Sequence, residues 1–329
     1  MLIIQEPWRP PLPGGMSAKE KQPGTMGKKL GIAITTYNRI DNLLKQIDLI
    51  ERLSVSDIEL VVCDDGSDDE TIATLAERGV MTIGGVNRGI AWNKNRGVFY
   101  LFNYTDVDAV ILMDDDVMPR IHGWDAEWFE AATLYGHVNY VPGSMAPYVI
   151  GGGLTAEDVG LSPVVGGMCM GVSREAFARV GFMDVRFGRY GHEHSDYSFR
   201  YVRAGYGGFV KTAEKGPMTY FYVIDGGVRL ANLPSTGTPE EASKNNELLA
   251  KVANDPVHRM PWKDDEGRDA FLAEFEPMSS RVIPEIETVA KEFDEALYLA
   301  ANPDVKNAAM RGLQHYMAFG RFEKRRLKP

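Results

Sequence analysis

The chain has 329 residues, of which 44% are hydrophobic and 25% are charged. These proportions are typical of a folded, water-soluble protein and exclude a collagen-like, low-complexity or wholly disordered chain. The length is about twice that expected for one domain, so we expect one large domain with an appendage, or two domains. The formal net charge of -10 has the wrong sign for neutralising phosphate backbones, so we expect no nucleic-acid partner.

The cysteines and the lengths of the apolar runs indicate the cellular compartment of the protein. The chain has 2 cysteines, Cys63 and Cys169, which lie far apart in apolar surroundings, so neither a disulfide framework nor a zinc site is indicated. No apolar run approaches the length of a membrane span. Residues 1–15 hold an acidic residue and prolines where a signal peptide needs a basic and then an apolar stretch. We therefore expect a cytoplasmic protein without a transmembrane segment.

Strand-like and helical patterns alternate along the first half of the chain. Residues 1–29 are rich in proline and lysine and lack apolar periodicity, which predicts a disordered tail. Apolar runs of strand length and amphipathic helical patterns then follow one another. The predicted strands are 30–37, 58–65, 80–83 and 108–116, and the predicted helices are 40–50, 68–79 and 88–104. This alternation predicts an α/β fold with a mostly parallel central sheet flanked by helices.

The chain after the tail divides into three predicted units. We predict a main domain over residues 30–225 with two halves, 30–120 and 121–225, followed by an irregular and helical extension over 226–290. Helices are expected near 239–252 and 265–274. Residues 291–329 are predicted to form a small helical module, whose few apolar residues must pack on the main domain or on a second chain. An oligomer is therefore possible.

Polar motifs follow the predicted strands. They are TTYNR (35–39), CDDGSDD (63–69), NRG (87–89) and DDD (114–116). Ligands of open α/β sheets bind beyond the carboxyl ends of the strands. We therefore expect the four motifs to share one site.

The acidic motif has the spacing of a metal site. Asp114 and Asp116 are two residues apart, and an extended chain places alternate residues on one face. Mg²⁺ and Mn²⁺ prefer oxygen ligands and are commonly shared between one or two carboxylates and substrate phosphates. The alternative is a solvated turn rich in aspartate.

The motifs together resemble a known family. TTYNR, VVCDDGSDDET, NRGIAWNKNRG and LMDDDV, in this order, resemble the nucleotide-sugar domain of family 2 glycosyltransferases. GGMCMGVSREAFARVGFMD and YGHEHSDYSFR resemble the acceptor-side segment of galactosyltransferase and chondroitin-polymerase-like members. The resemblance covers about residues 30–210.

The resemblance implies a fold and an activity. The fold is of the GT-A type, with a donor half over residues 30–120 and an acceptor half over 121–225. The activity is metal-dependent, inverting transfer of a hexose or N-acetylhexosamine from a nucleoside diphosphate sugar, with a UDP-sugar preferred. The acceptor is a hydroxyl of a glycan or glycoconjugate, and the cofactor is Mn²⁺ or Mg²⁺.

The resemblance also implies which residues bind the nucleotide base. Thr36, Tyr37 and Arg39 would surround it, and Asp64, with Asp65 beside it, would hydrogen-bond it. A carboxylate only accepts hydrogen bonds and therefore suits the N3–H donor of uracil. The residues themselves leave another interpretation open. Tyr37 would be a core residue, and either aspartate would cap the turn that Asp-Gly-Ser favours.

Contacts with ribose, sugar, phosphate and metal are implied further along the chain. The sugar and phosphate contacts are Asn87, Arg88, Lys94 and Asn95, although residues on a helix are more often solvated. Asp114 would face the ribose or the metal, Asp115 the donor sugar and Asp116 the metal. Many relatives add a downstream histidine to the metal shell. His258 is the next histidine here after His194 and is the candidate, with Asp225 a possible carboxylate substitute.

The catalytic base is expected within GHEHSD (191–196). The family pattern is usually Glu-Asp, but in this chain His194 follows Glu193, in the position of the usual catalytic aspartate. We rank Glu193 first, Asp196 second and His194 third. His194 is a candidate because an imidazole is also a competent base near neutral pH. Alternatively, His192 and His194 are surface or helix-capping residues.

Two other functions remain open. A non-catalytic glycan-binding or assembly subunit would keep the fold and lose the base, and only the unusual His194 favours it. A sugar-nucleotide pyrophosphorylase shares the acidic site but needs a glycine-rich, basic loop after the first strand. TTYNR has no glycine, so this alternative ranks lower.

Overall fold

The structure is a computed structural model, and it describes residues 29–212, 216–231, 237–275, 293–307, 312–316 and 325–329. Apart from Lys29, the predicted tail lies outside the described residues. The same holds for residues 276–290 of the extension and for parts of the C-terminal module.

Strands and helices alternate as the sequence predicts. The strands are β1 (Lys29–Thr36), β2 (Asp57–Asp64), β3 (Thr82–Gly84), β4 (Ala109–Asp114), β5 (Val117–Pro119), β6 (His137–Tyr140), β7 (Gly160–Ser162), β8 (Cys169–Ser173), β9 (Gly208–Thr212), β10 (Gly216–Ile224) and β11 (Val228–Leu230). The helices are α1 (Ile40–Leu53), α2 (Thr71–Glu77), α3 (Ile90–Tyr104), α4 (Trp124–Tyr135), α5 (Arg174–Val180), α6 (Glu193–Arg203), α7 (Pro239–Val252), α8 (Asp265–Ala273), α9 (Glu295–Ala301), α10 (Pro303–Asn307) and α11 (Gly312–His315). Every strand and helix predicted between residues 30 and 116 is present.

One large sheet organises the chain. Its strand order is β3-β2-β1-β4-β8-β6-β10-β7, and β9 pairs with β10. The strands β1 to β4 pair in parallel, whereas β8 runs antiparallel to both β4 and β6. The predicted α/β fold with a largely parallel central sheet is therefore confirmed, and its second half is mixed. In the parallel half, Thr36 lies opposite Asp64 and Thr35 opposite Asp114, so three polar motifs end at the same edge.

Both faces of the sheet are covered by helices. Ile32 and Ile34 of β1 are buried on the face that also carries Trp124 and Trp128 of α4. Ala33 faces the opposite way and is buried with residues of α3. A Cβ atom added to Gly97 would lie 2.4 Å from the Cβ of Ala33, so the absence of a side chain there lets α3 pack directly on β1. This close approach carries the start of α3 to the polar edge.

The helices predicted in the extension are also present. Helix α7 begins at a capping box, in which Thr238 and Glu241 exchange hydrogen bonds with each other's backbone. Helix α8 packs on α3 through Phe271, whose ring lies 5.3 Å from that of Phe99. In the C-terminal module, α11 contacts α5. In the described part of the chain, no helix is both long and apolar enough to cross a membrane.

Candidate active site

A cavity of about 420 Å³ opens at the polar edge of the sheet. Residues from the donor half and the acceptor half line it together. Ten of the residues singled out from the sequence are in its wall: Thr36, Tyr37, Arg39, Asp65, Asn87, Asp114, Asp115, Asp116, Glu193 and His194. The expectation that motifs after separate strands share one site agrees with this geometry.

The acidic turn after β4 is tied to the loop after β1. The buried carboxylate of Asp115 accepts hydrogen bonds from Thr36 Oγ1 at 2.8 Å and from Arg39 Nη1 at 3.0 Å. Helix α1 adds Gln46, whose amide donates to the carbonyl oxygens of Asp114 at 2.9 Å and Val117 at 2.7 Å. Burial raises the pKa of Asp115 despite the opposing effect of Arg39. The backbone of the acidic turn is therefore fixed before any ligand binds.

A buried lysine lies behind the first aspartate. Lys94 of α3 is fully buried, and its Nζ atom lies 2.5 Å from Asp114 Oδ1 and 2.9 Å from the carbonyl oxygen of Gly167. Thr35 Oγ1 donates to the same carboxylate oxygen at 3.0 Å. Lys94 thus neutralises Asp114 and joins the two halves of the cavity. It does not itself line the cavity, where the resemblance had implied a direct substrate contact.

Asp116 lacks the hydrogen-bond donors that its neighbours have. Its Oδ1 atom is buried and has no hydrogen-bond partner among the described residues. Burial, together with the charges of Asp114 and Asp115, raises the pKa of Asp116 to about 6. A buried carboxylate oxygen without a donor is unfavourable, and a divalent cation would relieve both the repulsion and the missing contact. The acidic turn therefore fits Mn²⁺ or Mg²⁺.

The described residues contain no group of three or more His, Cys, Asp and Glu side chains placed to hold a metal ion. A cation at Asp114 and Asp116 would therefore need further oxygens, and substrate phosphates commonly supply these to Mg²⁺. His258, the predicted third ligand, lies elsewhere in the fold. It is not in the cavity wall and packs against Gly181, where an added Cβ would lie 2.2 Å from its Nε2 atom. Asp225 is likewise outside the wall and pairs with Arg120.

The two aspartates after β2 have different surroundings. Asp64 Oδ2 accepts from the backbone N–H groups of Gly66 at 3.0 Å and Ser67 at 2.9 Å, so it caps its own turn. It does not line the cavity. Asp65 does, and it accepts from the N–H groups of Arg88 and Gly89, both at 2.9 Å. The turn-capping interpretation therefore describes Asp64, and Asp65 is the aspartate that faces the cavity.

The other residues implied to contact sugar and phosphate also differ in whether they line the cavity. Asn87 lines the cavity, but the guanidinium of Arg88 lies over the ring of Trp92, 4.6 Å from its centroid. Asn95 is fully buried and exchanges two hydrogen bonds with the backbone of Met183, at 3.0 and 2.9 Å. Asn95 thus joins α3 to the acceptor half, and Arg88 contributes its backbone and a stacked side chain.

Glu193 occupies the acceptor side of the cavity. Its Oε1 atom lies 3.0 Å from His194 Nδ1, and its Oε2 atom is buried without a hydrogen-bond partner in the described chain. Burial alone would raise the pKa of Glu193, but the hydrogen bond and charge of His194 and the charge of Lys94 bring it below its ordinary value. Glu193 is therefore ionised at neutral pH, with one oxygen available to accept a proton.

The other base candidates are placed differently. Asp196 is buried outside the cavity wall, and its Oδ2 atom accepts from Arg200 Nε at 2.8 Å. This is an ion pair within α6. His194 lines the cavity and packs against Gly167, where an added Cβ would lie 2.7 Å from its Cγ atom. Of the three candidates, Glu193 is the one that both lines the cavity and has a buried carboxylate oxygen without a hydrogen-bond partner among the described residues.

Arg189 and Tyr190 are among the residues of the cavity wall that sequence reasoning missed. They lie in the loop before α6, between Gly188 and Gly191, which both have positive φ. Asn245 of α7 holds this loop by donating to the carbonyl oxygens of Phe187, Tyr190 and Gly191, at 2.7 to 2.8 Å. The signal in the sequence was the pair of glycines around an arginine, directly before the motif that holds the base.

Comparison with known proteins agrees with this arrangement. The sheet and the helices on its two faces have a fold of the GT-A type. Residues 31–148 match the family described as Glycosyl transferase family 2. This part of the chain is therefore similar to glycosyltransferases of that family. A search of curated proteins gives no significant match.

Several solved structures are similar to this chain at low sequence identity. GalNAc-T7, solved with UDP, GalNAc and Mn²⁺, is 14% identical with a TM-score of 0.50, over 91% of this chain and 58% of that one. A mannosyltransferase from Pyrobaculum calidifontis, solved with GDP-Man and Mn²⁺, is 14% identical with a TM-score of 0.46, over 92% and 89%. Glucosyl-3-phosphoglycerate synthase from Mycobacterium tuberculosis is 18% identical with a TM-score of 0.42, over 70% and 78%. The likeness to GalNAc-T7 concerns the fold alone.

Proposed function

We propose that this protein is a metal-dependent, inverting glycosyltransferase. It would move a hexose or N-acetylhexosamine from a nucleoside diphosphate sugar, with a UDP-sugar preferred, to a hydroxyl of a glycan or glycoconjugate. The observation that supports this best is that Asp116 and Glu193, each with a buried oxygen lacking a hydrogen-bond partner in the described chain, line one cavity. One oxygen suits a cation and the other suits a proton.

The acidic turn would bind the diphosphate through a cation. Asp114 and Asp116 would hold Mn²⁺ or Mg²⁺, which when bound offsets the charge that develops on the departing nucleoside diphosphate. Lys94 and Arg39 neutralise Asp114 and Asp115, so the turn does not carry three uncompensated charges. The guanidinium of Arg189, in the same cavity wall, supplies a positive charge for the phosphates.

Glu193 would act as the general base. Its Oε2 atom takes the proton of the acceptor hydroxyl while the hydroxyl oxygen forms a bond to the anomeric carbon. The bond from that carbon to the diphosphate oxygen breaks in the same step, and its electron pair leaves with the diphosphate. Attack from the side opposite the leaving group inverts the anomeric centre. His194 would hold the carboxylate in place through Oε1.

The nucleotide base would lie against the loops after β1 and β2. The Tyr37 side chain is half exposed in the cavity wall and offers a ring face for stacking. Asp65 is the aspartate that faces this region, so it replaces Asp64 as the carboxylate proposed near the base. Thr36 and Arg39 would position the acidic turn, since both hydrogen-bond Asp115.

Nucleotide release from a panel of UDP- and GDP-sugars with Mn²⁺, with and without candidate glycan acceptors, tests this proposal. We expect release by the wild type and its loss in Glu193→Gln, with Glu157→Gln as a control because Glu157 is exposed and outside the cavity wall. Equal release by Glu193→Gln and wild type would contradict the assigned base. Nucleotide binding without release for every donor and acceptor would favour the non-catalytic glycan-binding subunit.

A further inference from the structure

The residue that follows α8 contacts the donor half of the cavity wall from behind. Glu274 has a side chain that is 10% exposed and forms a two-pronged ion pair with Arg96 of α3. The Arg96 Nε atom lies 2.7 Å from one carboxylate oxygen, and Nη2 lies 2.8 Å from the other. Trp92 Nε1 also donates to both oxygens, at 3.3 and 3.2 Å. Such paired, charge-assisted hydrogen bonds fix both position and orientation.

Arg96 is fully buried and distributes its remaining donors over the loops of the donor half. Its Nη1 atom donates to the carbonyl oxygen of Asp64 at 3.0 Å and to Asp65 Oδ1 at 3.3 Å. Its Nη2 atom also donates to the carbonyl oxygen of Val86 at 3.2 Å. A buried guanidinium needs counter-charges, because removing one partner leaves an uncompensated charge. Glu274 supplies the shorter contacts, and Asp65 the longer one.

Asp65 in turn holds the start of α3. It lines the cavity, and its two carboxylate oxygens accept the N–H groups of Arg88 and Gly89. A continuous path of polar contacts therefore runs from Glu274 through Arg96 to Asp65 and on to residues 86–89. Each contact on this path involves a buried or nearly buried side chain.

We propose that Glu274 is a positioning residue for binding of the nucleotide part of the donor. The charge of Glu274 prevents Arg96 from forming a closer ion pair with Asp65. Asp65 therefore continues to accept hydrogen bonds from the N–H groups of Arg88 and Gly89, which order the loop between β3 and α3. This inference rests on the proposed function, because it concerns the donor site of that function. Glu274 lies far outside residues 31–148, so the extension after the family-matched part contributes to the same site.

Calorimetric binding of UDP with Mn²⁺, on the full chain, tests the inference. Glu274→Gln keeps the size of the side chain and removes its charge. We expect UDP to bind this variant at least about tenfold more weakly, because small displacements of positioning contacts are costly. Asp269→Asn is the matched control, since Asp269 lies on α8, is 67% exposed and pairs with Arg268. It should bind UDP as the wild type does.

A second variant separates positioning from general loss of stability. Phe271→Ala removes packing of α8 on α3, including the ring contact with Trp92, but leaves the charges of Glu274, Arg96 and Asp65 in place. We therefore expect a lower Tm, with a smaller loss of UDP affinity than in Glu274→Gln. In turnover, Glu274→Gln should raise the KM for the donor and change kcat by less than about twofold at saturation. Glu274→Asp, which keeps the charge on a shorter side chain, should lie between Glu274→Gln and the wild type.

The inference is overturned if Glu274→Gln binds UDP as tightly as wild type, or if it loses kcat with an unchanged KM. It is also overturned if Phe271→Ala weakens UDP binding as much as Glu274→Gln does at a comparable loss in Tm. A wild-type protein that binds none of UDP, GDP, dTDP and CMP would instead contradict the proposed function itself. The two failures are therefore distinguishable.

Discussion

His194 Nδ1 lies 3.0 Å from Glu193 Oε1, so the residue in the position of the usual catalytic aspartate hydrogen-bonds the carboxylate beside it. This contact occupies one oxygen of Glu193 and leaves Oε2 buried without a hydrogen-bond partner among the described residues. The histidine thus has a role next to the proposed base and need not be the base itself. The departure from the family pattern is therefore compatible with activity.

Substitution of Glu193 should abolish most of the turnover. We expect Glu193→Gln to lower kcat by about 10² to 10⁴, the usual contribution of general base catalysis. His194→Ala should have a smaller effect, because it removes a hydrogen bond to the base and not the base. Asp196→Asn should chiefly lower the Tm, since it leaves the buried Arg200 without its carboxylate. Steady-state kinetics at saturating donor measures kcat, and thermal unfolding of each variant measures the Tm. A greater loss of kcat in folded Asp196→Asn than in Glu193→Gln would reverse the assignment of the base.

Removing the charge of Asp116 should stabilise the metal-free protein. Burial, together with the like charges of Asp114 and Asp115, raises the pKa of Asp116 to about 6, so the ionised carboxylate is held at a cost near neutral pH. Asp116→Asn relieves this repulsion, and we expect a higher Tm than wild type in EDTA. With Mn²⁺ and UDP the order should reverse, because only the wild type gains binding energy. A variant less stable than wild type in EDTA would contradict the description of this turn.

Gly89 is required where the donor half meets the loop before α6. Its φ is +93°, and an added Cβ would lie 2.4 Å from the carbonyl oxygen of Gly188. Gly79 also has a positive φ, +68°, but an added Cβ there would meet nothing within 4 Å. We expect Gly79→Ala to cost about 1 kcal/mol in unfolding free energy and to keep activity. Gly89→Ala should lower the free energy of unfolding by more than Gly79→Ala and should also lower turnover. Equal losses of unfolding free energy in the two variants, measured by denaturant unfolding, would argue against the close contact between Gly89 and Gly188.

The buried His137 should make stability depend on pH. Burial, helped by the charge of Arg200 and opposed by the hydrogen bond to Gly171, lowers the pKa of His137 to about 3. The unfolded state takes up a proton below about pH 6.5 and the folded state does not, so the free energy of unfolding falls as pH falls from about 6.5 towards 3. The expected slope is up to about 1.4 kcal/mol per pH unit.

Urea unfolding at about pH 7 and about pH 5.5 measures this slope. We expect His137→Gln to lose less stability than wild type between the two, although it is less stable at both because it loses the contacts to Ser198 and Gly171. His122→Gln is the control, since His122 is exposed. Equal pH dependence in His137→Gln and wild type would show that His137 does not set it.

The order of strands and helices and the shared site could be predicted from the sequence. Apolar runs that end in polar motifs identify the carboxyl edge of a parallel sheet, and register then places Thr36, Asp64 and Asp114 at that edge. What the sequence could not predict is which of two adjacent residues turns inward. Asp64 ends β2 and caps its own turn, and Asp65 points to the cavity, a difference made by local backbone geometry.

Contacts between segments that are far apart along the chain could also not be predicted from the sequence. His258 was a candidate because of its order along the chain, but the segment around it pairs with Gly181 away from the cavity wall. Lys94 was expected on a solvated or ligand-binding face and is fully buried behind Asp114. Glu274 carried no motif at all, because its partner Arg96 lies 178 residues earlier. The predicted domain boundaries stay predictions.

The central claim is that the acidic turn binds a nucleoside diphosphate through a cation. Calorimetric titration of UDP, GDP, dTDP and CMP with Mn²⁺ and with EDTA, on wild type and Asp116→Ala, tests it most directly. Asp48→Asn is the control, because Asp48 is 61% exposed on α1. We predict tight UDP binding to wild type and to the control in Mn²⁺, and none in EDTA or in Asp116→Ala. Binding that survives EDTA and Asp116→Ala, or no nucleotide binding under any condition, would contradict the claim.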